Sequence, residues 1–281
     1  MTKYTLSFIE QLKKKKIVLK DDVVNIIQDV LDSKITSVAC YKKHIKKTDT
    51  EKNIDDLRKI LNKITTRNYD TLEPKIYKIL DTTTLLNNKD LNTKIAEIVF
   101  NILSRNSFYT DIYSKLFINL INRYPYFNYQ LSKSMKDFIE SIESIDSETL
   151  ATSDYDTFCD NNKKNDEILA ISKFYIYLSK ANIIPSGIIT DLILDLQYYF
   201  NDLIQLENKS KTAELLANII FELVNSGINP KINSIFSESQ LKEITDIIQD
   251  IVGMKASDFN SLTNRAIFKY MDINDIINKT K

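Results

Sequence analysis

The sequence predicts an all-α protein built from antiparallel helix pairs, and three observations carry that prediction. Apolar residues recur at helical spacing along almost the whole chain. Only 3 Gly and 4 Pro punctuate 281 residues, too few for turn-rich β architectures. A hydrophobic share of 43% is enough to bury a sizeable core, yet each periodic segment is only a few turns long. A helix that short exposes an apolar stripe that only a neighbour can cover.

Taken in order, the first stripe lies in Asp22–Asp32 as Val23, Ile26, Ile27, Val30 and Leu31. The second is Ile54, Leu57, Ile60, Leu61 and Ile64. The third is Leu72, Ile76, Ile79 and Leu80, with Pro74 inside the first turns. Ile95, Ile98, Val99, Ile102 and Leu103 form the next, followed by Ile112, Leu116, Phe117, Leu120 and Ile121. Tyr124-Pro125 ends that helix, because the residue before a proline is driven out of the α region. Leu131, Met135, Phe138, Ile139 and Ile142 continue the pattern. Residues 146–165 are polar, rich in Ser, Thr, Asp and Asn, and are expected to form an exposed loop or a short helix. Periodicity resumes at Ile168, Ile171, Phe174, Tyr175 and Leu178. Further helices are expected near Ser186–Asn201, Lys211–Asn225, Gln240–Val252 and from Ser257 to about Ile277. Thr65, Ser186 and Ser257-Asp258 stand where N-caps belong, and Gly227 and Gly253 where C-caps belong. The resulting array of helix pairs fits an α-solenoid of the HEAT type with degenerate repeats. A compact irregular bundle is the alternative.

Composition also limits the chemistry. Gly187, Gly227 and Gly253 are widely separated, so no Gly-rich phosphate loop can form. One His, His44, and two distant cysteines, Cys40 and Cys159, cannot supply an ordinary zinc cluster, so neither metal nor cofactor is expected. The cysteines are expected to serve as small core residues in a reducing compartment. Asp21-Asp22 and Asp55-Asp56 are adjacent, so on a helix they diverge by about 100° rather than converge on a substrate. No local signature of a nucleophile with its base is present, and catalysis is not expected. Lys+Arg 38 against Asp+Glu 38 gives no net basic excess, so any RNA contact has to come from a local patch. The start, MTKYTLSFIEQLKKKK, lacks signal-peptide order. No run approaches a membrane span. A soluble, cytoplasmic protein is expected.

Residues Leu57–Leu80, LRKILNKITTRNYDTLEPKIYKIL, resemble the first helix pair of the middle domain of eukaryotic translation initiation factor 4G. Arg58, Ile60, Leu61, Asn62, Lys63, Ile64 and Thr65 follow that family's R-x-I-L-N-K-L-T pattern, and Tyr69 takes the place of its Phe. Ile98, Val99, Phe100, Tyr109, Tyr113 and Leu116 are similar to its second pair, with Ser114 and Phe117 standing for the usual Ala and Cys. Ile168–Ile189 and Ile247–Lys255 resemble two later segments, so the likeness spans about residues 51–256 in the family's order. The resemblance implies about five HEAT pairs over residues 51–281, with no active site. It also implies a scaffold that holds a DEAD-box RNA helicase of the factor 4A type. Helicase contacts would involve Asn62, Lys63 and Thr65 at the first inter-helix turn, and a second contact would lie near Ile219–Asn225 and Gln249–Lys255, with Gln249 and Asp250 in it.

Within residues 1–50, Lys3–Leu12 (KYTLSFIEQL) resembles the segment with which factor 4G grips the cap-binding protein, factor 4E. Tyr4, Phe8, Ile9 and Leu12 fall on one helical ridge suited to a groove, although Ile9 replaces Leu and Glu10 occupies the family's last apolar position. A helix packing on the end of the array accounts for the same ridge. Two basic clusters are candidate mRNA contacts: Lys13, Lys14, Lys15 and Lys16, and Lys42, Lys43, His44, Lys46 and Lys47. Both also suit ordinary solvated helix faces. Related HEAT adaptors in mRNA decay, splicing or poly(A)-binding-protein contact remain alternatives, as does a helical structural or host-interaction protein.

Overall fold

The computed structural model describes residues 20–38, 48–143, 155–228 and 234–279, and every described regular element is helical. The chain divides into two units, Met1–Thr48 and Asp49–Lys281. In the first unit the described element is α1 (Asp21–Val38). Two aspartates open it, where they complement the positive end of the helix dipole. Val23, Ile26, Ile27 and Leu31 of its apolar stripe are exposed.

The second unit holds α2 (Asp49–Leu61), α3 (Tyr69–Thr84), α4 (Lys89–Ser104), α5 (Thr110–Arg123) and α6 (Tyr126–Glu143). It continues with α7 (Tyr155–Lys180), α8 (Ser186–Leu203), α9 (Ser210–Ile228), α10 (Glu238–Val252) and α11 (Asn264–Asn278), with short 3-10 turns at Ser107–Tyr109 and Ala256–Asp258. Helices pack mainly on their first and second neighbours in chain order: α2 on α3 and α4, α4 on α5 and α6, α5 on α6 and α7, α7 on α8 and α9, and α8 on α9 and α10. The last helix, α11, packs on α9 and α10.

The predicted stripes supply the core. Leu57, Leu61, Ile64, Ile76 and Leu80 are buried on the α2–α3 side, as are Ile95, Val99 and Leu103 of α4. Phe100, Phe117, Phe127 and Phe174 bring α4, α5, α6 and α7 together, with Phe117 5.7 Å from Phe100, 5.7 Å from Phe127 and 5.5 Å from Phe174 between ring centroids. These rings are almost wholly buried. Burying each contributes about 2–3 kcal/mol before entropy is subtracted. At the other end Phe200 of α8 lies 4.9 Å from Tyr270 of α11. The segment between α10 and α11 is tied to the α8–α9 connection: the Ser261 N–H donates to the Ile204 carbonyl at 2.9 Å, and the Ser261 hydroxyl accepts from the Lys209 N–H at 2.8 Å.

Several boundaries differ from expectation for identifiable reasons. Residues 155–165 are not loop but the first turns of α7. Asn161 and Asn165 are spaced four apart on the line that continues into buried Ile168 and Ser172. Polar residues at these half-buried positions conceal the helical period from a hydrophobicity reading. Thr65 does not cap α3, because Asn68 holds the N-cap position. Thr263, not Ser257-Asp258, caps α11 by accepting the Ala266 N–H at 3.1 Å. Ser186 is the first residue of α8 rather than its cap, which is Pro185. A capping box that was not among the expected caps opens α10, where the Ser237 side chain takes the Gln240 N–H and the Gln240 side chain takes the Ser237 N–H. Gly253 is the C-cap of α10, as expected. Gly227 instead lies within α9, where a Cβ would run into the Phe236 ring. Cys159 is exposed rather than part of the core, since it falls in the polar opening turns of α7.

Candidate protein-interaction surface

The turn between α2 and α3 is anchored from below and open above. Leu61 and Ile64 are buried at its two ends, while Asn62 and Lys63 are exposed between them and Thr65 is half-buried. The Asn68 side chain clamps it: Oδ1 accepts the Thr65 N–H at 2.7 Å and Nδ2 donates to the Lys63 carbonyl at 2.7 Å. The Asn68 carbonyl in turn accepts the Thr71 hydroxyl at 2.8 Å. From α5 the Tyr113 hydroxyl donates to the Leu61 carbonyl at 3.3 Å. Backbone groups that would otherwise compete for water are thus paired, which fixes the positions of Asn62 and Lys63. An Asn three residues after Thr65, just before the helix, was the available sequence signal for this clamp.

Beside the turn, a polar network that sequence reasoning missed locks α3 to α5. Tyr69, Glu73 and Tyr77 stand at i, i+4 and i+8 on α3, a spacing that itself signalled a shared face. Glu73 accepts from the Tyr69 hydroxyl at 2.9 Å, the Tyr77 hydroxyl at 2.6 Å and the Asn119 amide of α5 at 2.8 Å. Burial raises the Glu73 pKa, but these hydrogen bonds and the Lys115 charge outweigh it, and the carboxyl is held below its ordinary value. Burial and the Glu73 carboxylate push both phenols well above the usual tyrosine range, so they remain donors. Lys115 lies 4.6 Å from the centre of the Tyr69 ring. One turn further on, Asp81 accepts from the Tyr124 hydroxyl and from Arg123, each at 2.7 Å, and the Arg123 guanidinium lies over the Tyr77 ring. Pro74, Tyr77, Lys78, Asp81, Leu85 and Arg123 line a shallow groove there. The next connection leaves Leu85 and Leu86 exposed.

Gln249 and Asp250 occupy the last turn of α10 with exposed side chains, and their carbonyls accept the Gly253 N–H at 3.1 and 3.2 Å. Asn62, Lys63 and Thr65 therefore share one ordered turn, while Gln249 and Asp250 belong to a helix that packs on α8 and α11. Asp55 and Asp56, read from sequence as divergent, pair separately with Arg58 at 3.9 Å and Lys59 at 2.9 Å. Tyr4, Phe8, Ile9 and Leu12, the run Lys13 to Lys16, and Cys40, Lys42, Lys43 and His44 lie outside the described residues.

Among the described residues no group of three or more His, Cys, Asp or Glu side chains is placed to hold a metal ion. No described helix is long and apolar enough to cross a membrane. Fold and surface together define a protein whose described regular elements are all helical. Comparison with protein-family models and with curated protein sequences finds no match.

Proposed function

We propose that the chain is a translation-initiation scaffold of the kind the factor 4G middle domain represents. In this proposal residues 51–281 form a HEAT-type α-solenoid of about five antiparallel helix pairs that acts in the cytoplasm. Its partner is a DEAD-box RNA helicase of the factor 4A type, contacted through Asn62, Lys63 and Thr65 and through Gln249 and Asp250. Tyr4, Phe8, Ile9 and Leu12 would engage the cap-binding protein, and the basic clusters at Lys13–Lys16 and Lys42-Lys43 would contact mRNA. The observation that supports this best is the clamped turn: the most specific patch of the resemblance, Leu61–Thr65, is also one whose backbone is fixed by paired groups beneath its exposed side chains.

The mechanism needs no catalytic group on the scaffold. A helicase cycles between open and closed arrangements of its two lobes. A surface that touches both lobes, and favours the closed arrangement tenfold, shifts the equilibrium by about 1.4 kcal/mol and raises the productive fraction accordingly. Binding to immobilised helicase tests this. The wild-type chain is expected to be retained, and an Asn62→Ala, Lys63→Ala double variant with unchanged helicity to be lost. Equal retention of both would remove the turn from the interface.

A second possibility is a helical adaptor for a different protein. It is favoured by Leu85, Leu86 and Tyr129, which are exposed apolar or aromatic residues outside the segments that carry the resemblance.

A further inference from the structure

The outer edge of α3 is a surface separate from the helicase contact at Asn62–Thr65. Thr71, Pro74, Lys75, Lys78, Thr82 and Leu85 stand at i, i+3, i+4, i+7, i+11 and i+14, so they share one face. All of them are exposed, while Ile76, Leu80 and Thr83 are buried on the far side of the helix. The strip is about 21 Å long. Its cations differ from those of the helix before it. In α2 every cation pairs with an acid three residues earlier: Lys52 with Asp49 at 2.9 Å, Arg58 with Asp55 at 3.9 Å and Lys59 with Asp56 at 2.9 Å. Arg67, just ahead of α3, and Lys75 and Lys78 have no ion-pair partner among the described residues. Two of the three carboxylates of α3 are engaged by other groups. Glu73 accepts from Tyr69, Tyr77 and Asn119, and Asp81 from Tyr124 and Arg123. The third, Asp70, lies off the strip, about 100° around the helix from Thr71. Lys75 and Lys78, one turn apart, therefore repel each other with no carboxylate between them.

The strip ends in apolar surface. Leu85 is 85% exposed and Leu86 58%, and Pro74, Tyr77, Lys78 and Leu85 line one shallow groove. Such a mixture selects among anionic partners. A nucleic acid would call for free rings on which bases stack, but Tyr69 is buried with Lys115 over its ring, and the Arg123 guanidinium covers Tyr77. A straight row of cations that runs into exposed leucines along a helix instead matches a second helix laid beside it, with acids and apolar residues on one face. We infer that the outer edge of α3 docks an acidic amphipathic helix of a protein partner. Carboxylates of that helix pair with Arg67, Lys75 and Lys78. A leucine-like side chain further along covers Leu85 and enters the groove over Pro74 and Tyr77. Charge complementarity sets the orientation and makes the contact sensitive to salt.

The test needs no helicase, so its outcome is independent of the helicase proposal. The full chain is titrated into a fluorescently labelled, blocked peptide, acetyl-Glu-Ala-Ala-Glu-Ala-Ala-Ala-Glu-Ala-Ala-Leu-Ala-Ala-Ala-Leu-amide, whose Glu and Leu residues share one helical face. Anisotropy is read at about 50 mM and about 300 mM salt. The controls are the same peptide with Lys in place of Glu, and a single-stranded oligouridylate. The Glu peptide is expected to bind saturably and more weakly at the higher salt. A Lys75→Glu, Lys78→Glu double variant should bind it at least about tenfold more weakly and gain affinity for the Lys peptide. Leu85→Ala should weaken the Glu peptide severalfold. The substituted side chains are exposed, so circular dichroism melts of both variants should stay within a few degrees of wild type. No saturable binding of the Glu peptide, or equal affinity in the double variant, would overturn the inference. Oligouridylate bound as tightly as the Glu peptide would make the strip a nucleic-acid surface and overturn it too. So would sedimentation showing self-association of the wild-type chain that the double variant abolishes, since a second copy would then be the occupant.

Discussion

Replacing Asn68 by Ala removes both hydrogen bonds that clamp the α2–α3 turn, the one from the Thr65 N–H and the one to the Lys63 carbonyl, each 2.7 Å long. A typical intramolecular hydrogen bond contributes about 0.5–1.5 kcal/mol net. The Thr65 bond is partly buried and the Lys63 bond exposed, so the pair is worth about 1–2 kcal/mol. In a unit of this size that lowers the melting temperature by about 2–8 °C. Asn68→Asp separates the two bonds, since it keeps an acceptor for Thr65 and loses the donor to Lys63. The carboxylate also gains from the helix N-terminus it would face. Asn68→Asp is therefore expected to melt between wild type and Asn68→Ala. Circular dichroism melts at neutral pH measure this directly, with helicase retention as the functional readout. A melt of Asn68→Ala that superimposes on wild type would refute the clamp, and with it the claim that Asn62 and Lys63 are held for a partner.

Two further outcomes follow from the same structure. Because the Glu73 carboxyl is held below its ordinary value in the folded protein, its contribution is full above the unfolded carboxylate pKa, about 4.3. That contribution is lost as pH falls through the lower, folded value. Glu73→Gln should thus cost about 1 kcal/mol at neutral pH, a moderate figure because the site is half-exposed, and its melting temperature should fall less steeply below about pH 4.5 than that of wild type; parallel acid limbs would count against the network. Gly227→Ala and Gly187→Ala should act in opposite directions. At Gly227 a Cβ meets the buried Phe236 ring, and overpacking of about 1–3 kcal/mol outweighs the helix-propensity gain of about 1 kcal/mol. At Gly187 nothing lies within 4 Å, so the melting temperature should hold or rise; a rise in both variants would contradict the close packing at α9.

Most helices were legible because their buried faces carry uninterrupted Ile, Leu, Val and Phe at helical spacing. Ile112, Leu116, Phe117, Leu120 and Ile121 are all buried where periodicity put them. The exception is informative. Tyr155–Asn165 is helical although its half-buried line carries Asn161 and Asn165, so a method that follows apolar residues loses the period there. Caps were harder to place, since Thr65, Asn68, Ser257 and Thr263 are all competent capping residues and only the path of the chain chooses among them. The candidate surface divided in the same way. The motif marked the Asn62–Thr65 turn, but the Asn68 clamp depends on backbone geometry. The Glu73 network depends on Asn119 and Lys115 arriving from a helix distant in sequence, which no local pattern encodes.

The central claim is that this chain couples to a helicase, and steady-state ATPase turnover of a purified factor 4A-type helicase with RNA tests it most directly. Addition of the chain is predicted to raise turnover severalfold and saturably, with Asn62→Ala, Lys63→Ala abolishing the rise. Turnover unchanged by saturating wild-type chain would contradict the account.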